Sequence, residues 1–244
     1  MKDKRDEAID LFKNAQYSAA IPLCLDLLDS DFDDFYIHYM VGHCYNFNGQ
    51  FLEAIESLKK SEELMKDSAS IETKRPIYLA LGIAYQNNKE FDKAVAVLEN
   101  GISKCPKEWK LYNSLGLTYK LMNNLREALH SYTKAHDLII EAAIRTEILA
   151  TEIPEGEPHT RLFDPGKLTL KSSPEYCILM NNIGCVYIAV GALESAEEAL
   201  KESIEFIPDG FNYPLPHDGL AFINSQKKGF CVHPLEFQYE LLLQ

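Results

Sequence analysis

One block of residues recurs along this chain at a fixed interval, and that recurrence restricts the fold more than any other feature of the sequence. The segment Leu81-Gly82-x-x-Tyr85, followed by Ala94, Leu98, Gly101 and Pro106, returns as Leu115-Gly116-x-x-Tyr119 with Ala128, Tyr132 and Ala135. A third copy is Ile183-Gly184-x-x-Tyr187 with Ala196, Leu200, Ser203 and Pro208, and a fourth is Val41-Gly42-x-x-Tyr45 with Ala54, Leu58 and Ser61. Their glycines fall at 42, 82, 116 and 184, giving steps of 40, 34 and 68. These steps are one period plus a six-residue insertion, one period, and two periods. A weaker copy opens the chain, where Ala8, Leu11 and Ala20 stand one period before Gly42, Tyr45 and Ala54. End repeats of an array are expected to be atypical because one face meets solvent.

The period has a physical reading. Within each copy the apolar residues recur at three- and four-residue steps, as on one face of a helix, and the pattern breaks once between Tyr and Ala. Two antiparallel helices follow. Small residues such as Gly82 against Ala94 are placed at the helix crossing, where a larger side chain would separate the axes beyond the usual packing distance. Tyr and Leu fill the space between neighbouring pairs. Asn87-Asn88-Lys89 and Asn123-Asn124 suit tight turns, and Pro106 and Pro208 stop second helices.

A helix pair of this period carrying Leu-Gly, Tyr, Ala, Phe/Tyr/Leu, Ala and Pro at these positions resembles the tetratricopeptide repeat family. The sequence departs from that pattern where the usual Trp is Tyr78, Tyr112, Met180 or His38, and where two copies lack the closing Pro. The resemblance implies an all-α chain, a right-handed α-solenoid of antiparallel helix pairs (a TPR-like superhelix) with a non-repeat insertion and a C-terminal capping tail. Residues 1–34 then hold a degenerate first repeat, and 35–68, 75–108, 109–142 and 177–210 hold clear ones. Residues 143–176 form the insertion and 211–244 the tail and its capping helix.

Inside the insertion, Pro154, Gly156, Pro158, Pro165, Gly166 and Pro174 forbid two ordinary helices. The second helix of the preceding repeat is expected to extend from Ala128 to about Ala150. Beyond it, Thr160–Lys171 reads as a hairpin or extended arm turning at Pro165-Gly166, either a functional element or a passive loop. After Pro208 the spacing disappears. A final helix is expected from Leu235 to Gln244, serving as a cap over the last repeat or as a tail that enters the groove or a second copy of the chain.

Composition narrows the function. Lys plus Arg is 24 against 37 Asp plus Glu, a formal charge of -13, which opposes sequence-independent binding to nucleic acid or anionic lipid. No apolar run approaches the roughly 18 residues needed to cross a bilayer, and the N-terminus has no signal-peptide core. Six scattered cysteines without a C-x-x-C pair fit reduced thiols better than a disulfide framework. A cytoplasmic location is expected, with the nucleus also compatible.

The resemblance further implies that the first helices of successive repeats line a concave groove. Counting places Tyr36, Tyr39, Met40, His43 and Phe47 there, then Leu79, Ile83, Gln86 and Asn87, then Lys110, Asn113, Leu117 and Lys120, then Ile178, Asn181, Asn182 and Cys185. The family's carboxylate clamp for chaperone tails needs a cradle of Lys, Arg and Asn. The three possible starts supply Arg5, Ile9, Met40, Pro76 and Ala80; Tyr39, His43, Ala80, Lys110 and Ser114; or Leu79, Ile83, Ser114, Ile178 and Asn182. None assembles charge-assisted bonds for a carboxylate. Aromatic and aliphatic anchors, with Asn113, Asn181 and Asn182 available to a peptide backbone, remain.

An enzymatic reading finds no support in the motifs. No G-x-G-x-x-G, P-loop, G-x-S-x-G or H-E-x-x-H is present, and the five-residue step from His38 to His43 turns them off one helix face. No cofactor and no metal are expected. The chain reads as an adaptor or scaffold holding a peptide or helix with apolar anchors; the alternative is a chaperone dedicated to shielding an apolar segment of one client.

Overall fold

The computed structural model describes residues 2–29, 34–65, 70–150, 170–171 and 173–228. Eleven helices are described: α1 (Lys2–Lys13), α2 (Tyr17–Asp29), α3 (Phe35–Phe47), α4 (Phe51–Leu64), α5 (Ile71–Asn87), α6 (Phe91–Lys104), α7 (Trp109–Leu121), α8 (Leu125–Ala150), α9 (Pro174–Ala189), α10 (Leu193–Glu205) and α11 (Leu215–Lys227). No strand occurs among the described residues. The all-helical class read from the sequence holds. The hairpin or arm expected over Thr160–Lys171 lies outside the described residues except at Leu170 and Lys171, which are helical, and the helix expected from Leu235 lies outside them.

A single turn geometry makes each pair of helices. The residue after each first helix that takes a left-handed conformation is Ala15 (φ 56°), Gly49 (76°), Lys89 (61°), Asn123 (58°) or Gly191 (78°), so the turn keeps the spacing of the repeat. The next N–H in each case reaches back across the turn in a Schellman-type closure: Gln16 to the Leu11 carbonyl at 2.9 Å, Gln50 to Tyr45 at 2.9 Å, Glu90 to Tyr85 at 2.9 Å, Asn124 to Tyr119 at 2.8 Å and Ala192 to Tyr187 at 2.9 Å. The repeat tyrosine, or Leu11 in the first copy, thus supplies the accepting carbonyl. Only Gly adopts this conformation without steric cost, so Ala15 and Lys89 hold it against a penalty that the closure offsets.

Small residues let the paired helices approach. A Cβ on Gly42 would lie 2.7 Å from Leu58 Cγ and 3.1 Å from the Ala54 carbonyl oxygen, and one on Gly82 would lie 2.6 Å from Leu98 Cδ2. The partner pressing on Gly82 is therefore Leu98, one turn beyond the Ala94 expected from spacing. Ser61 and Ser203, equivalent in the repeat, are buried and donate to the Phe35 and Cys177 carbonyls at 2.7 and 2.6 Å. Each ties the second helix to the start of the first.

Among the described residues the chain divides within α7 into two units, those up to Thr118 and those from Tyr119 to Lys228. In the first, Ala8, Cys24, Leu27, Ile37, Met40 and Val41 form one core cluster, and Ala54, Leu58, Leu81, Ala84 and Ala94 form another. The second closes on α11, whose Phe222 and Ile223 pack against Ala196 and Leu200 of α10. Pro216 sits in the first turn of α11, where a missing N–H breaks no helical bond. Gly210 and Pro214 precede this helix, and Pro216 and Gly219 lie inside it.

Candidate functional site

In the first unit, α3 turns Tyr36, Tyr39, His43 and Phe47 toward one side. Their rings run in series, with centroids 6.0 Å apart for Tyr36–Tyr39, 5.8 Å for Tyr39–His43 and 4.8 Å for the stacked His43–Phe47 pair. Phe12 of α1 and Tyr17 of α2 complete the cradle: Phe12 lies 5.1 Å from His43 and 5.9 Å from Tyr39, and Tyr17 lies 4.7 Å from Phe47. Phe47, at 43% exposure, is its most open member. Met40 takes the opposite course. Counted onto the groove, it is fully buried in the core of α1 to α3, because a step of one residue rotates it about 100° from Tyr39.

The cradle is uncharged around neutral pH. Burial holds the His43 imidazole down to about 4 from its ordinary 6.5 and leaves its Nδ1 without a hydrogen-bond partner. Burial pushes the Tyr39 phenol up to about 12, with Tyr36, Tyr17 and Cys44 adding and Arg75 opposing. Tyr17 is raised for the same reason, assisted by Cys44.

Leu79 and Ile83 of α5 are half-buried. Gln86, also counted onto the groove, is buried and donates through Nε2 to the Ser114 carbonyl at 2.8 Å and the Thr118 hydroxyl at 2.6 Å. It joins neighbouring repeats. Asn87 donates to Asn46 Oδ1 at 2.9 Å. On α7, the Lys110 ammonium stands 5.3 Å over the Trp109 ring, Leu117 is half-buried, and the Asn113 carbonyl oxygen is buried without a partner.

In the second unit, Asn181 and Asn182 of α9 are each 3% exposed, and both side-chain carbonyl oxygens lack a partner. A buried acceptor left so costs about 1–3 kcal/mol. Tyr213 approaches Asn181 from the segment before α11. Its hydroxyl is also buried, and burial pushes the phenol strongly up, with Cys177 and Cys185 adding and the Asn181 amide opposing. The Lys120 amine is buried beside the Cys185 thiol, so desolvation lowers the amine while Cys185 opposes it. Ile178 is half-buried on the same helix as Cys185.

Sequence reasoning did not place Phe12, Tyr17 or Tyr213 in these clusters. Phe12 stands one period before Asn46, on the first helix of the opening repeat, and that register carried a signal for it. Tyr213 lies outside the repeat and carried none. Among the described residues no group of three His, Cys, Asp or Glu side chains is placed to hold a metal ion. No helix is long and apolar enough to cross a membrane among those residues.

A family model for the tetratricopeptide repeat matches residues 35–67, 76–107, 110–138 and 179–209, just over half of the chain. No curated protein sequence matches it. Solved structures share the fold. A MamA fragment from Desulfovibrio magneticus RS-1 is 16% identical with a TM-score of 0.60, over 84% of this chain and 93% of that one. The C-terminal part of a TPR repeat-containing protein from Cytophaga hutchinsonii is 14% identical with a TM-score of 0.61, over 92% and 71%. TTC0263, a thermophilic TPR protein in Thermus thermophilus, is 17% identical with a TM-score of 0.56, over 93% and 98%.

Proposed function

The chain belongs to the tetratricopeptide repeat family, and from that membership we propose that it is a non-enzymatic adaptor holding a peptide or helix of a partner protein against the first helices of its repeats. The fold is that of a protein-interaction scaffold in general. The observation that carries the finer reading is the row of rings Tyr39, His43 and Phe47, uncharged at neutral pH and open at Phe47. Neutral rings anchor apolar side chains at little desolvation cost, and aromatic residues in such settings supply a large share of binding energy. Asn113 and Asn181, two periods apart and equivalent in the repeat, each carry a buried carbonyl oxygen without a partner. A ligand backbone N–H reaching either oxygen would supply its missing partner, which supports the reading.

The test is selection of a random-peptide display library on the full chain. Enriched peptides should carry aromatic or aliphatic anchors and lose at least tenfold in affinity, about 1.4 kcal/mol, against Tyr39→Ala/Phe47→Ala of unchanged helicity. Peptides that bind the double variant equally well would remove the cradle from the site.

A further inference from the structure

The aromatic cradle ends in a small pocket that bears on what it selects. Phe47, its most exposed ring, is one wall of a cavity of about 170 Å³ whose other walls are Phe51, Gly49, Asn46 and Asn87. The floor of the turn stays open, since a Cβ on Gly49 would meet nothing within 4 Å, and its φ of +76° keeps a side chain disfavoured there. A cavity of about 150 Å³ is large enough for one benzene ring. The pocket therefore has room for one aromatic side chain beside the Phe47 and Phe51 rings.

Its amide edge sets the chemistry further. Asn87 uses its NH2 group to donate to the Asn46 carbonyl oxygen at 2.9 Å. Among the described residues, the Asn46 NH2 group and the Asn87 carbonyl oxygen make no side-chain hydrogen bond. One donor and one acceptor are thus left on the two amides that line the pocket beside Phe47, Phe51 and Gly49. A phenol hydroxyl is both an acceptor and a donor, so a single group can meet both.

We infer that this pocket is an anchor site for one tyrosine side chain of the bound peptide, its ring beside Phe47 and Phe51 and its hydroxyl on the Asn46–Asn87 amide pair. The inference rests on the adaptor reading and gives that site its preferred residue. Phenylalanine fills the same space without satisfying the amides, and leucine fills it without the ring contacts.

The experiment is a titration of the full chain with N-acetyl-tyrosinamide, N-acetyl-phenylalaninamide and N-acetyl-leucinamide, followed by nuclear magnetic resonance at the Asn46 and Asn87 side-chain NH2 groups and the Gly49 backbone N–H. Saturable shifts at these three groups are expected with tyrosinamide, with phenylalaninamide binding roughly five- to a hundredfold more weakly, as the loss of two neutral hydrogen bonds gives, and leucinamide more weakly still. Asn46→Leu/Asn87→Leu, read at the Gly49 N–H, should level tyrosine and phenylalanine, and Phe47→Ala should abolish both. Silence at the three groups, leucinamide binding as well as tyrosinamide, or a tyrosine preference that survives Asn46→Leu/Asn87→Leu would each overturn the anchor site. If library-selected peptides still bound through Tyr39 and His43 in that event, the pocket would fail while the adaptor reading stood; if they bound neither place, both would fail.

Discussion

Gly42 and Gly82 occupy the same position of the repeat but face different walls. A Cβ at Gly42 meets backbone as well as side chain, the Ala54 oxygen and Leu58 nitrogen both at 3.1 Å, whereas the nearest atoms at Gly82 all belong to the Leu98 side chain. A leucine can rotate and a helix backbone cannot. Gly42→Ala is therefore expected to cost about 1–3 kcal/mol and Gly82→Ala less, read from urea midpoints; the reverse order would show that the Leu98 side chain is the stiffer neighbour. His43 makes a prediction of opposite chemical character. Its folded-state pKa of about 4 lies below the ordinary 6.5, so between those values the unfolded chain binds the extra proton. Stability should fall as pH drops from about 6.5 to about 4, by on the order of 3 kcal/mol in total, and level off below. The Tyr39 phenol and the Cys44 thiol, both raised to about 12, do not titrate in that window. His43→Phe keeps the stacking and should flatten the wild-type slope; an unchanged slope would assign it to carboxylates. At this scale the sequence was legible where the period decides the environment, as at Gly42 and Gly82. It was not at Gln86, whose partners Ser114 and Thr118 come from the next repeat and are joined to it only by packing.

Helices and their turns were legible for a related reason. The repeat period locates the Tyr and Ala that bracket each turn, and the backbone closure from Tyr45, Tyr85, Tyr119 and Tyr187 depends on that spacing rather than on side-chain identity. Lys89 and Ala15 can thus stand where Gly49 and Gly191 do. The helix α11 escaped the same reasoning because it belongs to no repeat and its Gly210, Pro214 and Pro216 carry the composition of a loop. Its inward face, Phe222 and Ile223, covers Ala196 and Leu200, while Lys227 bonds Glu197 across the exposed edge. The end of a repeat array depends on such cover. Phe222→Ala is accordingly expected to cost the second unit about 3–5 kcal/mol, with the loss of amide protection falling first on α10 in hydrogen exchange. Removing the exposed Lys227–Glu197 pair should cost far less. Equal effects would mean that α11 is held by its surface rather than its core.

For the chain as a whole, the formal charge of -13 and the neutral aromatic cradle act on different steps of an encounter. Charge influences which partners approach and is screened by salt, whereas apolar anchors should hold as ionic strength rises. The repeat, its period and the face bearing Tyr39, His43 and Phe47 could be read from residue order; the neutrality of that face could not, since it arises from burial among residues of three helices. The most direct measurement is affinity capture from native lysate at elevated salt, comparing the wild-type chain with Tyr39→Ala/Phe47→Ala at matched helical circular dichroism. Loss of a specific partner protein from the double variant is the predicted result. Retention of the same partner by the variant would contradict the account and place recognition on some surface other than the cradle.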